Sequence, residues 1–83
     1  WCTPCRAFAP IFEAVSQIKK DDCKFAKIDF SHDSELANRL KVVAIPTILF
    51  MYKSKIISRS EGFIPKEEFE AKIQNFLKQI QMN

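Results

Sequence analysis

The 83 residues predict an α/β or α+β sandwich, in which helices pack on a mixed sheet. Three observations support this fold class: an amphipathic helical period near each end of the chain, an alternating run after the first helix, and two strands joined by a tight turn. A chain of this length forms one domain at most. Its composition, 47% hydrophobic and 28% charged, excludes wholesale disorder.

Helical periodicity predicts the first element, over residues 2–20. Its apolar residues recur at spacings of three and four: Phe8, Ile11, Phe12, Val15 and Ile18. Pro10 cannot donate a hydrogen bond to the Arg6 carbonyl, so we expect a kink within one helix. Lys19 and Lys20 place positive charge at the negative end of this helix.

Alternation then predicts a strand over residues 24–30. One face carries Ala26, Ile28 and Phe30, and the other carries Phe25, Lys27 and Asp29. After this strand, Asp33 or Ser34 is placed to cap a short helix. The inner side of that helix would carry Leu36, Ala37 and Leu40.

A hairpin and a closing helix are predicted for the rest of the chain. Residues 47–52 and 55–60 are predicted to be antiparallel strands joined at Lys53–Ser54. Pro65 suits the first position of the last helix. The apolar stripe of that helix is Phe69, Ile73, Phe76, Leu77 and Ile80. The predicted order is therefore αβαββα.

The distribution of charge and the length of the apolar runs argue against a nucleic-acid-binding protein and against a membrane-spanning segment. Thirteen Lys and Arg against ten Asp and Glu give a net charge of +3, and the basic residues form no block of the kind that binds nucleic acid. The longest apolar run, 42–52, is about half the length that spans a bilayer. We therefore expect no nucleic-acid partner and no membrane span in these residues.

The residues that could carry out a reaction are the first five of the sequence: Trp1, Cys2, Thr3, Pro4 and Cys5. Two cysteines three positions apart on a helix's first turn share one face, with Cα atoms about 5–6 Å apart, as a disulfide requires. Unpaired N–H groups and the helix dipole favour a thiolate there. We expect Cys2 to have a lowered pKa and act as the nucleophile, and Cys5 to attack the resulting mixed disulfide. Pro4 stiffens the turn, and Trp1 offers a flat apolar surface to a substrate.

Three other uses of the cysteines are alternatives to redox chemistry. A structural disulfide over four residues stabilises a fold by only about 2 kcal/mol. A zinc site would combine Cys2, Cys5, Cys23 and His32, but nine positions separate the last two, whereas structural zinc ligands come in close pairs. A papain-like nucleophile would need a histidine beside it, and His32 lies in a predicted loop. Redox chemistry fits the first two cysteines best. Cys23 is expected to be an inert, buried small hydrophobic residue or, alternatively, an exposed regulatory thiol.

Five separated segments stand out along the chain: WCTPCR at 1–6, AP at 9–10, FAKID at 25–29, VVAIPT at 42–47 and EGF at 61–63. Together and in this order, they resemble segments of the thioredoxin family. The resemblance covers the chain from end to end and implies a thioredoxin-like fold. It also implies a redox-active Cys2–Cys5 disulfide, with no metal and no other cofactor, and a cis bond before Pro46. A proline between a helix end and a strand favours that bond independently, the alternative being a plain strand-start proline.

The same resemblance implies a groove for an extended substrate peptide. Its residues would be Trp1, Thr3, Pro4, Ala44, Ile45, Pro46, Gly62 and Phe63. Lys27 matches a family lysine near a buried acid behind the resolving cysteine and would have a supporting role. Thr3 and Ala44 stand where thioredoxins often have glycine. Because residues between the cysteines tune their potential, reductant and weak oxidant both stay open.

The implied activity is that of a thiol–disulfide oxidoreductase that reduces protein disulfides. Such a protein would be a cytoplasmic monomer, and a partner resembling thioredoxin reductase would supply its electrons. One alternative is a redox-silent binding module of a larger protein, which thiol titration would distinguish. Another is an exported or organellar relative that handles the disulfides of secreted proteins, which sequence upstream of Trp1 would reveal.

The family also places a strand, a helix and a second strand ahead of the WCxxC turn. We therefore expect residues 1–83 to be the C-terminal three quarters of a thioredoxin-like domain, without the first two strands and first helix. In the family, that second strand lies between the strands matching 24–30 and 47–52. We expect 24–30 to make no ladder with 47–52, and the segment alone to be unstable or poorly active.

Overall fold

A computed structural model of the chain describes residues 2–28 and 34–81. Its elements, in order, are α1 (Thr3–Lys19), α2 (Ser34–Arg39), β1 (Thr47–Tyr52), β2 (Lys55–Glu61) and α3 (Lys66–Gln81). The two strands form an antiparallel sheet, and α1 and α3 pack with it around one cluster of buried side chains. The fold is α/β, as the sequence predicts. None of the described helices is both long and apolar enough to cross a bilayer.

The core joins α1, β1 and α3. Its buried members are Phe8, Val15, Ile48, Phe50, Ile64, Phe69, Ile73 and Phe76. Leu77 and Ile80 pack against this cluster, so the predicted stripe of α3 is confirmed. In α1 the prediction is wrong for Ile18, which is 60% exposed. Ile18 lies in the last turn and about 80° from Phe8 around the helix axis, at the edge of the stripe.

Helix α1 continues through Pro10 as one helix, as predicted. It ends at Lys19, where a cation lies against the negative end of the helix dipole. The chain then turns through two further backbone hydrogen bonds, because the N–H groups of Asp22 and Cys23 both donate to the Lys19 carbonyl. This turn brings Phe25 back onto the core, where its ring lies 5.5 Å from that of Phe12.

The strand predicted over 24–30 is absent from its described part, residues 24–28. A strand exists only through pairing, and in the described part of the chain β1 pairs with β2 alone. The predicted division into faces holds for these residues, because Phe25 packs on the core and Lys27 lies over the Phe12 ring, while Ala26 and Ile28 are exposed. The expected lack of a ladder between 24–28 and 47–52 is confirmed. Asp29, Phe30, His32 and the predicted cap Asp33 lie outside the described residues.

The hairpin forms as predicted, with β2 one residue longer. Its register runs from Thr47 opposite Glu61 to Tyr52 opposite Lys55, and one bulge leaves Ile57 without a partner. The turn residues Lys53 and Ser54 have φ values of 51° and 67°. Two residues with positive φ make the type I′ turn that matches the twist of a hairpin.

Side chains alternate between the two faces of β1. Ile48 and Phe50 lie in the core with α1 and α3. Leu49 and its partner Arg59 consequently face the other side of the sheet. The C-terminus of α2 lies on that side, because the Arg59 guanidinium donates to the carbonyls of Leu40 and Lys41.

Helix α2 ends in a Schellman motif. The Val42 N–H donates to the Ala37 carbonyl at 2.9 Å, and the Lys41 N–H donates to the Asn38 carbonyl at 3.1 Å. Lys41 has a φ of 59°, a left-handed conformation that this motif usually gives to glycine.

Replacing Lys41 with glycine is therefore expected to raise the free energy of unfolding by about 0.5 kcal/mol. Relief of the left-handed Cβ clash outweighs the greater freedom of glycine in the unfolded chain. Urea unfolding of the purified protein measures the change. Lys20→Gly is the matched control, because Lys20 has a helical φ of −61° and glycine there is expected to destabilise by about 0.5 kcal/mol. Equal destabilisation by both substitutions would contradict the assignment.

Candidate functional site

The cysteine pair begins α1. Cys2 is the N-cap, with extended backbone at φ −95° and ψ 101°, and its carbonyl accepts the Arg6 N–H at 3.0 Å. The Cys5 N–H donates to Cys2 Sγ at 3.3 Å. Sulfur thus takes the place that a serine or aspartate oxygen usually has at an N-cap. Pro4 lies in the first turn, where its missing N–H costs the helix no hydrogen bond.

Cys2 and Cys5 form a disulfide, with their Cα atoms 5.2 Å apart. This separation agrees with the spacing expected for two residues on the first turn of a helix. Both cysteines are half-buried, whereas Thr3, Pro4 and Arg6 around them are exposed. The pair therefore lies where another protein can reach it. Trp1, the first of the predicted groove residues, lies outside the described residues.

A second part of the site is the loop that enters β1. The Ile45–Pro46 bond is cis, as the resemblance implies. The Pro46 carbonyl accepts the Gly62 N–H at 2.8 Å, and the Thr47 hydroxyl donates to the Ala44 carbonyl. The first hydrogen bond joins the loop to the residue that follows β2, and the second joins it to the first residue of β1.

The backbone conformation at position 62 requires glycine. Its φ is 86°, in the left-handed region, and no atom lies within 4 Å of the position that a Cβ would occupy. Space would therefore admit a side chain, but the conformation disfavours one. Phe63 follows and is 45% exposed, while its neighbour Ile64 enters the core.

The structure groups the predicted residues into two bonded units. Ala44, Ile45, Pro46 and Gly62 belong to one, and Cys2 with Cys5 to the other. The units share a core, because Phe8, three residues after Cys5, and Ile48, two residues after Pro46, lie in the same buried cluster.

One exposed residue of the loop escaped sequence reasoning. Val43 is 85% exposed, more than any other large apolar side chain in the described part of the chain. It lies beside Ala44, which is also exposed. Its position between a helix cap and a proline that begins a strand was the available signal, since such a residue has no regular element to bury it.

Lys27 contacts α1 rather than an acid. Its Nζ lies 5.5 Å from the centroid of the Phe12 ring, within the range of a cation–π interaction. Phe12 in turn stacks on Phe69 of α3. Within residues 2–28 and 34–81, Lys27 forms no ion pair, so its supporting role beside a carboxylate stays a prediction.

Cys23 differs from the cysteine pair in its surroundings. It is half-buried against the core, and its Sγ lies 4.0 Å from the Lys19 carbonyl. Burial raises the pKa of its thiol, the Asp22 carboxylate raises it further, and the Lys19 ammonium lowers it. Cys23 is therefore a protonated, weakly nucleophilic thiol at neutral pH.

The zinc alternative gains no support from the described residues. No group of three or more His, Cys, Asp and Glu side chains is placed there to hold a metal ion. His32, its proposed fourth ligand, lies outside the described residues, so the expected absence of a metal stays a prediction.

Comparison with known proteins places this arrangement in a family. The Thioredoxin family model matches residues 1–75. The chain is 40% identical to the Thioredoxin of Mycoplasmoides gallisepticum over 84% of its own length and 69% of the relative's. It is 35% identical to the Thioredoxin of Bacillus subtilis, over 93% and 74% of the two chains. The crystal structure of Malassezia sympodialis Thioredoxin superposes with a TM-score of 0.84 at 28% identity, covering 93% of this chain and 69% of the other. The chain therefore belongs to the thioredoxin family.

Proposed function

We propose that this protein reduces disulfides in other proteins by dithiol–disulfide exchange through Cys2 and Cys5. The observation that carries the proposal is the half-buried cysteine pair on the first turn of α1, which closes into a disulfide. Membership of the thioredoxin family indicates a thiol–disulfide oxidoreductase. The direction, the order of attack and the protein substrates belong to the proposal.

In the first step, the reduced Cys2 thiolate attacks one sulfur of a substrate disulfide. A mixed disulfide forms, the substrate S–S bond breaks, and the departing substrate sulfur takes up a proton. In the second step Cys5 loses its proton and its sulfur attacks Cys2 Sγ. The Cys2–Cys5 bond forms, the mixed disulfide breaks, and the second substrate thiol leaves. Two electrons pass to the substrate, and the protein is left oxidised.

The backbone at the start of α1 supports Cys2 as the nucleophile. The Cys5 N–H points at Cys2 Sγ, and a thiolate accepts a hydrogen bond more strongly than a thiol does. The positive end of the helix dipole acts in the same direction. Cys5 lies inside the first turn, so its sulfur is placed to resolve a mixed disulfide on Cys2.

The proposed groove receives an extended segment of the substrate. It comprises the residues named from the resemblance: Trp1, Thr3, Pro4, Ala44, Ile45, Pro46, Gly62 and Phe63. Exposed apolar surface at Phe63, together with that of Val43, supports the proposal, because apolar contacts accept many different substrate sequences. Lys27 has a supporting role behind the pair.

The proposed cycle uses no metal and no cofactor beyond the Cys2–Cys5 disulfide. Electrons come from a partner resembling thioredoxin reductase, and the protein acts as a monomer in the cytoplasm, where dithiols are kept reduced. A redox-silent binding module is the alternative, and thiol titration across cellular potentials separates the two. An exported or organellar protein that handles the disulfides of secreted proteins is a further alternative.

Replacing Cys2 with serine is expected to lower insulin-disulfide reduction by at least about a hundredfold, because the nucleophile is lost. Turbidity of insulin reduced with dithiothreitol measures the rate. Cys23→Ser is the control and is expected to stay within about twofold of the parent protein, since Cys23 is half-buried away from the pair. Unchanged activity in Cys2→Ser would contradict the mechanism.

The three thiols of the reduced protein are expected to alkylate in a fixed order. Cys2 reacts first with iodoacetamide near neutral pH, and Cys5 follows. Cys23 reacts last: its pKa is raised, so its thiolate fraction and its rate keep increasing above the pH at which an ordinary thiol levels off.

Pulse labelling between pH 5 and pH 10, followed by peptide mass spectrometry, measures all three rates. Faster labelling of Cys5 than Cys2 would reverse their roles. A Cys23 rate that levels off at or below the pH of a free model thiol would contradict its burial.

A further inference from the structure

We propose that Arg59 is a positioning residue for the substrate loop, defined as residues 40–46. The inference rests on the proposed function, because that function assigns Ala44, Ile45 and Pro46 to the groove. Arg59 is not among the groove residues and touches neither cysteine in the described contacts. It acts through the loop.

The Arg59 guanidinium holds the start of the substrate loop with two hydrogen bonds. Its Nη1 donates to the Lys41 carbonyl at 2.9 Å, and its Nη2 donates to the Leu40 carbonyl at 2.7 Å. These carbonyls follow the last turn of α2, where no helical N–H is available to them. A planar guanidinium offers two donors at a fixed spacing, which suits two successive carbonyls.

Two residues, one within β2 and one directly after it, thus hold the two ends of the loop. Arg59 in β2 binds the start, and Gly62, three residues later, binds the Pro46 carbonyl at the end. Between these ties, Val43 and Ala44 are exposed. A loop held at both ends loses less conformational freedom when a substrate docks on it.

Arg59 is suited to this role by its place in the sheet. It lies opposite Leu49, on the face away from α1 and α3, and is half-buried. It forms no ion pair with a described carboxylate, so carbonyl oxygens provide its hydrogen bonds. Loss of Arg59 therefore releases the loop, while the cysteines on α1 keep their surroundings.

The test compares a protein disulfide with a small one. In Arg59→Met, KM for insulin reduction is expected to rise about fivefold to tenfold with kcat within about twofold, because two charge-assisted hydrogen bonds are lost from the loop. Arg59→Lys retains one donor group and is expected to be intermediate. Reduction of 5,5′-dithiobis(2-nitrobenzoic acid), which needs no groove, stays within about twofold in both variants.

Arg39→Met is the matched control. Arg39 lies in the last turn of α2, its side chain is 75% exposed, and its one described ion pair is with Glu35 at 3.8 Å. We expect it to leave every rate within about twofold, since exposed ion pairs contribute little.

Hydrogen exchange tests the loop itself without any substrate. The Lys41 and Val42 amides, which form the Schellman hydrogen bonds, are expected to exchange at least about tenfold faster in Arg59→Met than in the parent, while those of α3 keep their rates. An unchanged KM for insulin with unchanged loop exchange would overturn the inference. A parallel loss on both disulfide substrates would also overturn it, because the effect would then reach the cysteines. Failure of the parent protein to reduce either disulfide would contradict the proposed function, and loop exchange alone would then decide the role of Arg59.

Discussion

The packing of the Phe69 ring against the aromatic rings of α1 is the interaction on which the rest of the molecule depends. Its ring is 1% exposed and lies 5.1 Å from the Phe8 ring and 6.1 Å from the Phe12 ring. Through it, α3 holds the helix that carries the cysteines. The ring of Phe76, also in α3, lies 5.5 Å from the ring of Phe50 in β1. Strand β1 directly follows the cis proline. One aromatic core therefore orients both parts of the site, and the disulfide and hydrogen bonds described above fix the conformation within each part.

The site combines the N-terminus of a helix with a loop held by hydrogen bonds. The chain belongs to the thioredoxin family, whose members are thiol–disulfide oxidoreductases. The helix supplies N–H groups to a sulfur at its end. The loop offers exposed apolar side chains beside a cis bond. In the proposed function, the chemistry and the recognition lie on different elements, so a substitution in one can leave the other intact.

Local patterns in the sequence were sufficient for the helices, the hairpin and the cysteine pair. The stripe of α3 and the i, i+3 spacing of Cys2 and Cys5 depend on neighbours within one or two turns. The strand predicted over 24–30 does not form in its described part, residues 24–28. Alternation shows only that a segment prefers an extended conformation, whereas strand formation depends on a distant pairing partner. The link from Arg59 to α2 spans 18 and 19 positions, and no local pattern marks it. The cis bond and the groove came from the family resemblance, which carries information about distant contacts that one sequence lacks.

The hydrogen bond from the Cys5 N–H to Cys2 Sγ has a thermodynamic consequence. Any group that stabilises the Cys2 thiolate stabilises the reduced protein relative to the disulfide form, and so raises the reduction potential of the pair. Each tenfold shift of the equilibrium between the disulfide and reduced forms corresponds to about 30 mV of reduction potential for a two-electron couple. In the proposed mechanism, the same N–H that prepares Cys2 for attack therefore limits how strongly the pair can drive electrons onto a substrate. Speed of attack and reducing power are set against each other by a single backbone donor.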